Sequence, residues 1–146
     1  GIVPALLSAE MTIRTGRDPA ELYRGLAHQF GASAERRVQA TATREQRALL
    51  ARLTPHQFTH TELAGKAIVR ILDRAPGNQA AIGGIKVMTE HGWFVARPSG
   101  TEDLYRIYAE SFNGEDHVAR IVSDAQSMVD AVLEAGTRRA GGGPSA

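Results

Sequence analysis

The stretch that decides the fold occupies residues 92–109 and reads as strand, polar loop, strand. It runs Gly92-Trp93-Phe94-Val95-Ala96-Arg97-Pro98-Ser99-Gly100-Thr101-Glu102-Asp103-Leu104-Tyr105-Arg106-Ile107-Tyr108-Ala109. In its second half apolar and polar side chains alternate, so Tyr105, Ile107 and Ala109 fall on the face opposite Arg106 and Tyr108. We therefore predict two strands joined by a short loop, with Arg106 on the polar face and able to reach back to the loop.

The loop has the chemistry of a phosphate site. Ser99 and Thr101 carry hydroxyl donors, and Gly100 has no Cβ to keep a ligand away from the backbone. Successive N–H groups of such a loop can form an anion-binding nest. Arg97 and Arg106 add positive charge and planar guanidinium groups that suit two phosphate oxygens at once. These five residues are the candidate phosphate contacts, and a polar turn without a ligand is the plain structural alternative.

The segments around this stretch predict a sheet covered by helices. Residues 85–89 and 93–96 form a β-hairpin pattern with a glycine in its turn, and residues 37–42 and 66–73 read as further strands. Thr43 opens a capping box before a short apolar-faced helix, and residues 115–133 have the periodicity of a long amphipathic helix with an acidic first turn. The predicted class is α+β, an antiparallel sheet with helices packed on one face.

Two further helices are predicted before the sheet. The first ends at Gly16, and the second starts at Asp18-Pro19 with Leu22, Leu26, Ala27 and Phe30 as its buried stripe. Two amphipathic helices cannot enclose a core by themselves. We therefore expect them to belong to a domain whose earlier part precedes this sequence.

Composition narrows the function classes. The chain of 146 residues suits one domain, or one domain and a piece of another, and its 42% hydrophobic content allows a core. A net charge of +1 gives no reason to expect nucleic acid or a membrane as partner. There is no cysteine, which excludes disulfides and thiolate metal sites. His56 and His60 have a helical ligand spacing but no third ligand nearby, so we predict no metal site. No secretory or membrane-spanning pattern occurs, which favours the cytoplasm.

The hexapeptide from Arg97 to Glu102 resembles the C-terminal phosphate-binding loop of the α-D-phosphohexomutase superfamily. The longer pattern of residues 83–87 and 92–103 is similar to bacterial α-phosphoglucomutases in particular. Asp103, where phosphoglucosamine mutases usually have proline, and the turn of residues 75–78 point the same way. Phosphoglucosamine or phosphomannomutases stay open as alternatives, as does a stand-alone module that binds phosphorylated ligands.

The resemblance implies a domain organisation and a role. Residues 1–35 would be the tail of a third α/β domain, residues 36–135 the C-terminal phosphate-binding domain, and residues 136–146 a disordered tail. The parent enzyme would interconvert glucose 1-phosphate and glucose 6-phosphate, with glucose 1,6-bisphosphate as intermediate. This part would bind the phosphate that is not being transferred, through Arg97, Ser99, Gly100, Thr101 and Arg106. Glu102 would brace the loop by pairing with an arginine.

The family's catalytic parts do not occur in this sequence. It has no loop with the nucleophilic serine, no aspartate-rich loop for Mg²⁺ and no sugar-binding loop of the family's type. The resemblance therefore implies no catalytic residue here, an inactive isolated chain, and Mg²⁺ held elsewhere in the parent. The expected partners are a phosphorylated hexose and the N-terminal domains of the same enzyme. Lys86 is expected to be an ordinary exposed lysine, and Trp93 and Phe94 to pack in the core or under the loop.

Overall fold

The computed structural model describes the backbone of residues 1–141 and the side chains of residues 1–138. Two units can be distinguished, Gly1–Ser33 and Ala34–Ala146. The first unit consists of helices α1 (Ile2–Thr15) and α2 (Pro19–Phe30). Gly16 ends α1 in the left-handed conformation, with φ of 66°. Asp18 caps α2 by accepting from the N–H groups of Ala20 and Glu21 at 2.7 and 2.9 Å, as its Asp-Pro start predicted.

The predicted buried stripe of α2 is wrong. No residue of α1 or α2 is buried, and Leu26 and Phe30 are 55% and 70% exposed. Of the four residues in the predicted stripe, Leu22 and Ala27 are half-buried. The reason is that a helical stripe is buried only against a second apolar layer, and two short helices do not supply one.

The second unit is built on a five-stranded antiparallel sheet. Its strands are β1 (Ala34–Thr41), β4 (Arg70–Arg74), β5 (Ala81–Met88), β6 (Gly92–Pro98) and β7 (Leu104–Ser111). They lie side by side in the order β1-β7-β6-β5-β4. The predicted hairpin is formed by β5 and β6. In β7, buried and half-buried residues alternate in the way that the apolar and polar residues of its sequence predicted. Tyr105, Ile107 and Ala109 are buried on one face.

The single strand predicted for residues 66–73 is split in two. β2 (Glu62–Leu63) and β3 (Lys66–Ala67) form a separate two-stranded ribbon, and only the later residues join the main sheet as β4. Ala64 and Gly65 both have positive φ, which reverses the chain between β2 and β3. The predicted strand itself breaks at Ile68 and Val69, where the chain passes from the ribbon to the main sheet: Ile68 donates its N–H to the Thr61 carbonyl and Val69 donates to the Met88 carbonyl, both at 2.8 Å. The sequence pattern did not predict this break.

Helices cover one face of the sheet. α3 (Arg44–Leu50) and α4 (Glu115–Gly141) pack on the side that carries the buried strand residues, with a short 3₁₀ turn at Pro55–Gln57 between α3 and β2. Thr43 caps α3 together with Gln46, as predicted. The core joins the sheet to α4 through the buried side chains of Ile85, Val87, Phe94, Ile107, Val118, Ile121, Ala125 and Val129. The predicted class, α+β with helices on one face, is confirmed.

Helix α4 runs beyond its predicted end near residue 133, so the predicted disordered tail begins inside a helix. Gly136 lies so close to α3 that a Cβ there would overlap the Leu49 side chain. Thr137 donates its hydroxyl to the Leu133 carbonyl at 2.8 Å within the same helix. The glycine at position 136 therefore allows α3 and α4 to approach closely. Residues 142–146 of that predicted tail lie outside the described residues.

Candidate phosphate-binding site

The predicted loop, Arg97 to Glu102, lies where β6 turns into β7; Arg97 and Pro98 end β6, and residues 99–103 connect the two strands. Ser99 donates its N–H to the Leu104 carbonyl, and Leu104 donates its N–H to the Glu102 carbonyl, both at 2.9 Å. The two flanking strands pair along their whole length. The ends of the loop are therefore fixed by a continuous ladder, which keeps its donors in a defined place.

Arg47 fastens the loop from the helix side. Its Nη1 donates to the Ser99 carbonyl at 3.3 Å, and its Nη2 donates to Asp103 Oδ1 at 2.6 Å. Asp103 in turn accepts the Ala42 N–H on its carbonyl at 3.0 Å. Sequence reasoning missed Arg47, because no local pattern connects a helix residue with a loop about fifty positions later.

Two arginines face each other beside the loop. Arg97 on β6 and Arg106 on β7 are register partners, and strand alternation puts both side chains on the face of the sheet away from the helices. Like charges directly opposite each other destabilise a sheet. An anion between the two guanidinium groups would remove this repulsion, so the pair suits a phosphate.

Arg106 is held in place by its neighbours. Its Nη1 donates to Ser99 Oγ at 3.2 Å, its Nε donates to Gln39 Oε1 at 3.3 Å, and its Nη2 pairs with the Glu102 carboxylate. Glu102 thus braces the loop through an arginine, as expected. Gln39 comes from β1 and was not predicted to contribute.

Arg97 is in a different state. In the described part of the chain its guanidinium group makes no hydrogen bond and no ion pair. Among the described residues, the N–H groups of Gly100 and Thr101 have no acceptor. The Thr101 hydroxyl makes no hydrogen bond there either. The free cation and the free loop donors are the groups that can bind an anion without giving up an existing bond.

Ser99 and Gly100 occupy contrasting positions in the loop. Ser99 is only 4% exposed, and its Oγ accepts from the Glu102 N–H at 3.3 Å as well as from Arg106. Its own proton still has no acceptor among the described residues. Gly100 is exposed, its φ lies outside the left-handed region, and a Cβ there would meet nothing within 4 Å. The missing side chain therefore leaves one side of the loop open to a ligand.

Both arginines line a cavity of about 480 Å³. It lies on the helix-free face of the sheet and is lined by Gly83, Trp93, Val95, Arg97, Pro98, Arg106 and Tyr108. This volume falls in the range of about 300–1,000 Å³ that small-molecule pockets occupy. The site is therefore larger than a phosphate alone requires.

Two aromatic expectations had different outcomes. Phe94 is fully buried in the core on the helix-covered face of the sheet, as predicted. Trp93 instead lies half-buried on the cavity face, where its Nε1 donates to Glu110 Oε2 at 2.9 Å. Lys86 is not an ordinary exposed lysine, because its Nζ lies 4.0 Å from the centre of the Trp93 ring.

The described residues offer no site for the Mg²⁺ that the resemblance implies. Within them, no three histidine, aspartate or glutamate side chains come together as metal ligands. His56 and His60 border a groove beside α4 without a third ligand. No helix described has both the length and the apolar character of a membrane span.

The sheet, its one-sided helices and the loop define a class: a small α+β domain with an arginine-flanked polar loop at a strand junction. Residues 56–127, which include the loop, match the family described as phosphoglucomutase/phosphomannomutase, C-terminal domain. These residues belong to this family's C-terminal domain.

Two curated relatives place the match more closely. A phosphoglucomutase of Komagataeibacter xylinus is 47% identical over 133 residues, which is 91% of this chain and 24% of the relative. A probable phosphoglucosamine mutase of Methanococcoides burtonii is 40% identical over 57 residues, which is 39% of this chain and 12% of that relative. The chain thus spans about a quarter of the first relative's length and about an eighth of the second's.

Proposed function

We propose that this chain is the phosphate-binding C-terminal part of a phosphoglucomutase that interconverts glucose 1-phosphate and glucose 6-phosphate. The observation that carries the proposal is the opposed pair Arg97 and Arg106 with unpaired loop donors beside it. The 47% identity to a phosphoglucomutase across nearly the whole chain favours this enzyme over a phosphoglucosamine mutase, whose match covers 39%.

The phosphate bound here is the one that stays on the sugar during transfer. Arg97, Thr101 and the Gly100 backbone are its direct donors, while Ser99 and Arg106 contact it and also hold the loop in shape. Guanidinium, hydroxyl and N–H groups recognise the phosphate oxygens and not the carbon that carries them. The site therefore accepts a sugar in either orientation, as a reaction through glucose 1,6-bisphosphate requires.

The chemical step belongs to other parts of the enzyme. We assign residues 1–35 to the end of a third domain and residues 36–135 to the phosphate-binding domain. The nucleophilic serine and the Mg²⁺ ligands would lie in the N-terminal domains, which are the partners of this chain. The isolated chain is expected to bind hexose phosphate and to convert none of it, since positioning without a nucleophile transfers no phosphoryl group. The proposed location is the cytoplasm, because charged hexose phosphates do not cross a bilayer unaided.

The binding part of the proposal is tested by NMR titration of the isotope-labelled 146-residue chain. Glucose 1-phosphate, glucose 6-phosphate and glucose are added separately to the wild type and to Arg97→Gln. We expect both phosphates to shift the amide signals of residues 99–101, glucose to leave them unchanged, and Arg97→Gln to lose the response. An unresponsive loop in the wild type would contradict the assignment of the site.

The enzymatic part is tested by exchanging domains. The corresponding C-terminal part of the Komagataeibacter xylinus phosphoglucomutase is replaced by this chain, and conversion of glucose 1-phosphate is measured. We expect an active chimera whose kcat/KM falls by about two orders of magnitude with Arg97→Gln, because one charged contact in a closed site contributes about 3 kcal/mol. An active chimera whose kcat/KM is unchanged by Arg97→Gln would rule out the proposed role of Arg97 in binding the substrate phosphate.

A further inference from the structure

We propose that Trp93 and Tyr108 form an aromatic shelf that binds the sugar ring of the ligand whose phosphate lies between Arg97 and Arg106. The inference rests on the proposed function and adds a second part to the site, one that distinguishes a hexose phosphate from a bare phosphate. Its starting point is that both aromatic rings line the same cavity of about 480 Å³ as the arginines.

The strand register sets the order of the groups along the cavity. On the helix-free face the pair Arg97 and Arg106 is followed by the pair Val95 and Tyr108, and then by Trp93 opposite Glu110. Successive pairs on one face are about 6.6 Å apart along the strands. A sugar ring attached to a phosphate between the arginines would thus lie over Val95 and Tyr108, with Trp93 closing the far end.

The chemistry of these walls suits a sugar ring. A phosphate needs only the polar end of the cavity, whereas the rest is formed by an aliphatic side chain and two aromatic side chains. The C–H face of a six-membered sugar ring is apolar and gains contact area on such a surface. Outside the cavity lining, the Glu110 carboxylate accepts the indole N–H of Trp93 on Oε2, which orients the Trp93 ring.

The shelf is already ordered in the free protein. Lys86 Nζ lies 4.0 Å from the Trp93 ring centre, and Arg37 Cζ lies 5.2 Å from the Tyr108 ring centre, so a cation holds each ring. Trp93 is fixed further by its bond to Glu110. Rings that are held before binding lose little entropy on contact with a ligand.

The test compares two phosphate monoesters that differ only in the ring. Methyl phosphate and glucose 6-phosphate are both dianions at pH 8, because the second phosphate pKa is about 6. Dissociation constants are measured by NMR for the wild-type chain, Arg97→Gln, Tyr108→Leu and Trp93→Phe, with Phe112→Leu as the control. Phe112 is a half-exposed aromatic residue beyond the end of β7 and outside the cavity.

We expect glucose 6-phosphate to bind the wild type on the order of tenfold more tightly than methyl phosphate. Tyr108→Leu should lower this ratio about fivefold while methyl phosphate binds as before, and Phe112→Leu should leave the ratio unchanged. Trp93→Phe keeps an aromatic ring at position 93 and should lower this ratio less than Tyr108→Leu does.

The possible failures are distinguishable. Equal affinities for the two esters, or a ratio that Tyr108→Leu does not alter, overturn the aromatic shelf and leave the phosphate site intact. Absence of methyl phosphate binding, or binding that Arg97→Gln does not weaken, overturns the proposed function and the shelf with it.

Discussion

Arg97 on β6 stands directly opposite Arg106 on β7, yet only Arg106 is paired with a carboxylate in the described part of the chain. Opposed like charges cost a sheet a few tenths to about 1 kcal/mol. We therefore predict that Arg97→Gln does not lower the free energy of unfolding in anion-free buffer and raises it by up to about 1 kcal/mol. Urea unfolding of both proteins in the absence of phosphate measures this difference.

In the presence of phosphate, the wild type should become more stable than Arg97→Gln. At ten times its dissociation constant a ligand stabilises the wild type by about 1.4 kcal/mol, which raises the Tm of a domain of this size by roughly 5 °C. Arg97→Gln should lose most of this rise. Arg70→Gln is the matched control, since Arg70 is an exposed arginine on β4, at the far edge of the sheet. A similar loss with Arg70→Gln would mean that general charge, and not the opposed pair, attracts phosphate.

The second prediction concerns Gly100, whose side of the loop is open. Because a Cβ there meets nothing within 4 Å and φ is not left-handed, Gly100→Ala should keep or slightly raise stability, by up to about 1 kcal/mol. The added methyl group should weaken phosphate binding about tenfold, since it occupies the space through which a ligand reaches the loop N–H groups. Thermal unfolding and NMR titration of the same variant measure the two effects.

Gly84 provides the contrast for Gly100. A Cβ at position 84 would overlap the Ala96 carbonyl of the neighbouring strand, so Gly84→Ala should lower stability by about 2 kcal/mol or more. If Gly100→Ala lowers stability to a similar degree, the space beside Gly100 is not open. If the Gly100→Ala protein is stable and binds phosphate as the wild type does, the ligand does not approach the loop at this position.

The sheet and the loop could be predicted because their signals are local. Period-2 alternation over residues 104–111 sets which face of β7 is buried, and the Ser-Gly-Thr loop follows from residue chemistry alone. Arg47 and Gln39 could not be found in this way. Both reach the loop only because α3 and β1 pack beside it, and contacts between distant segments leave no periodicity in the sequence.

The errors have a common physical cause. The stripe of α2 is amphipathic, but burial needs a facing layer that helices α1 and α2 do not provide. The periodicity of α4 ends near residue 133, but the helix continues because Gly136 packs against Leu49 of α3, a contact between distant segments. Local propensity describes what an element prefers, whereas its neighbours decide what is buried and where it ends.

A third prediction concerns Tyr105, which is buried on the core face of β7. Its hydroxyl donates to Asp130 Oδ1 of α4 at 2.8 Å, and burial, with the Asp130 carboxylate, raises the pKa of the phenol. Tyr105→Phe keeps the ring and removes only this bond between sheet and helix. We expect a loss of about 1–2 kcal/mol in the free energy of unfolding, the range for a bond to a charged acceptor that remains partly hydrated. Tyr23→Phe, at an exposed position of α2, is the control; equal unfolding curves for all three proteins would show that the bond contributes nothing.

The last prediction concerns His117, which is 2% exposed at the start of α4. Its Nδ1 lies 2.7 Å from Ser111 Oγ, and Ser111 Oγ also accepts the Asn113 N–H at 2.9 Å, which leaves the serine proton free to point at the imidazole. His117 Nε2 is buried without a partner among the described residues. Burial, and then the positive charges of Arg120 and Lys66, lower the pKa of His117. The neutral ring is the form that this site accepts.

The sign of the resulting pH dependence follows from linkage. The unfolded chain has a histidine pKa of about 6.5, so as the pH falls below that value the unfolded state takes up the proton before the folded state does. The free energy of unfolding therefore decreases from pH 7 down to the lowered pKa of the folded protein. His117→Gln, which has no charge at any pH, should show a smaller decrease between pH 7 and pH 5, whatever its stability at pH 7. His60→Gln, at an exposed position, should keep the wild-type slope. If His117→Gln retains that slope as well, the acid sensitivity of the fold comes from groups other than this buried imidazole.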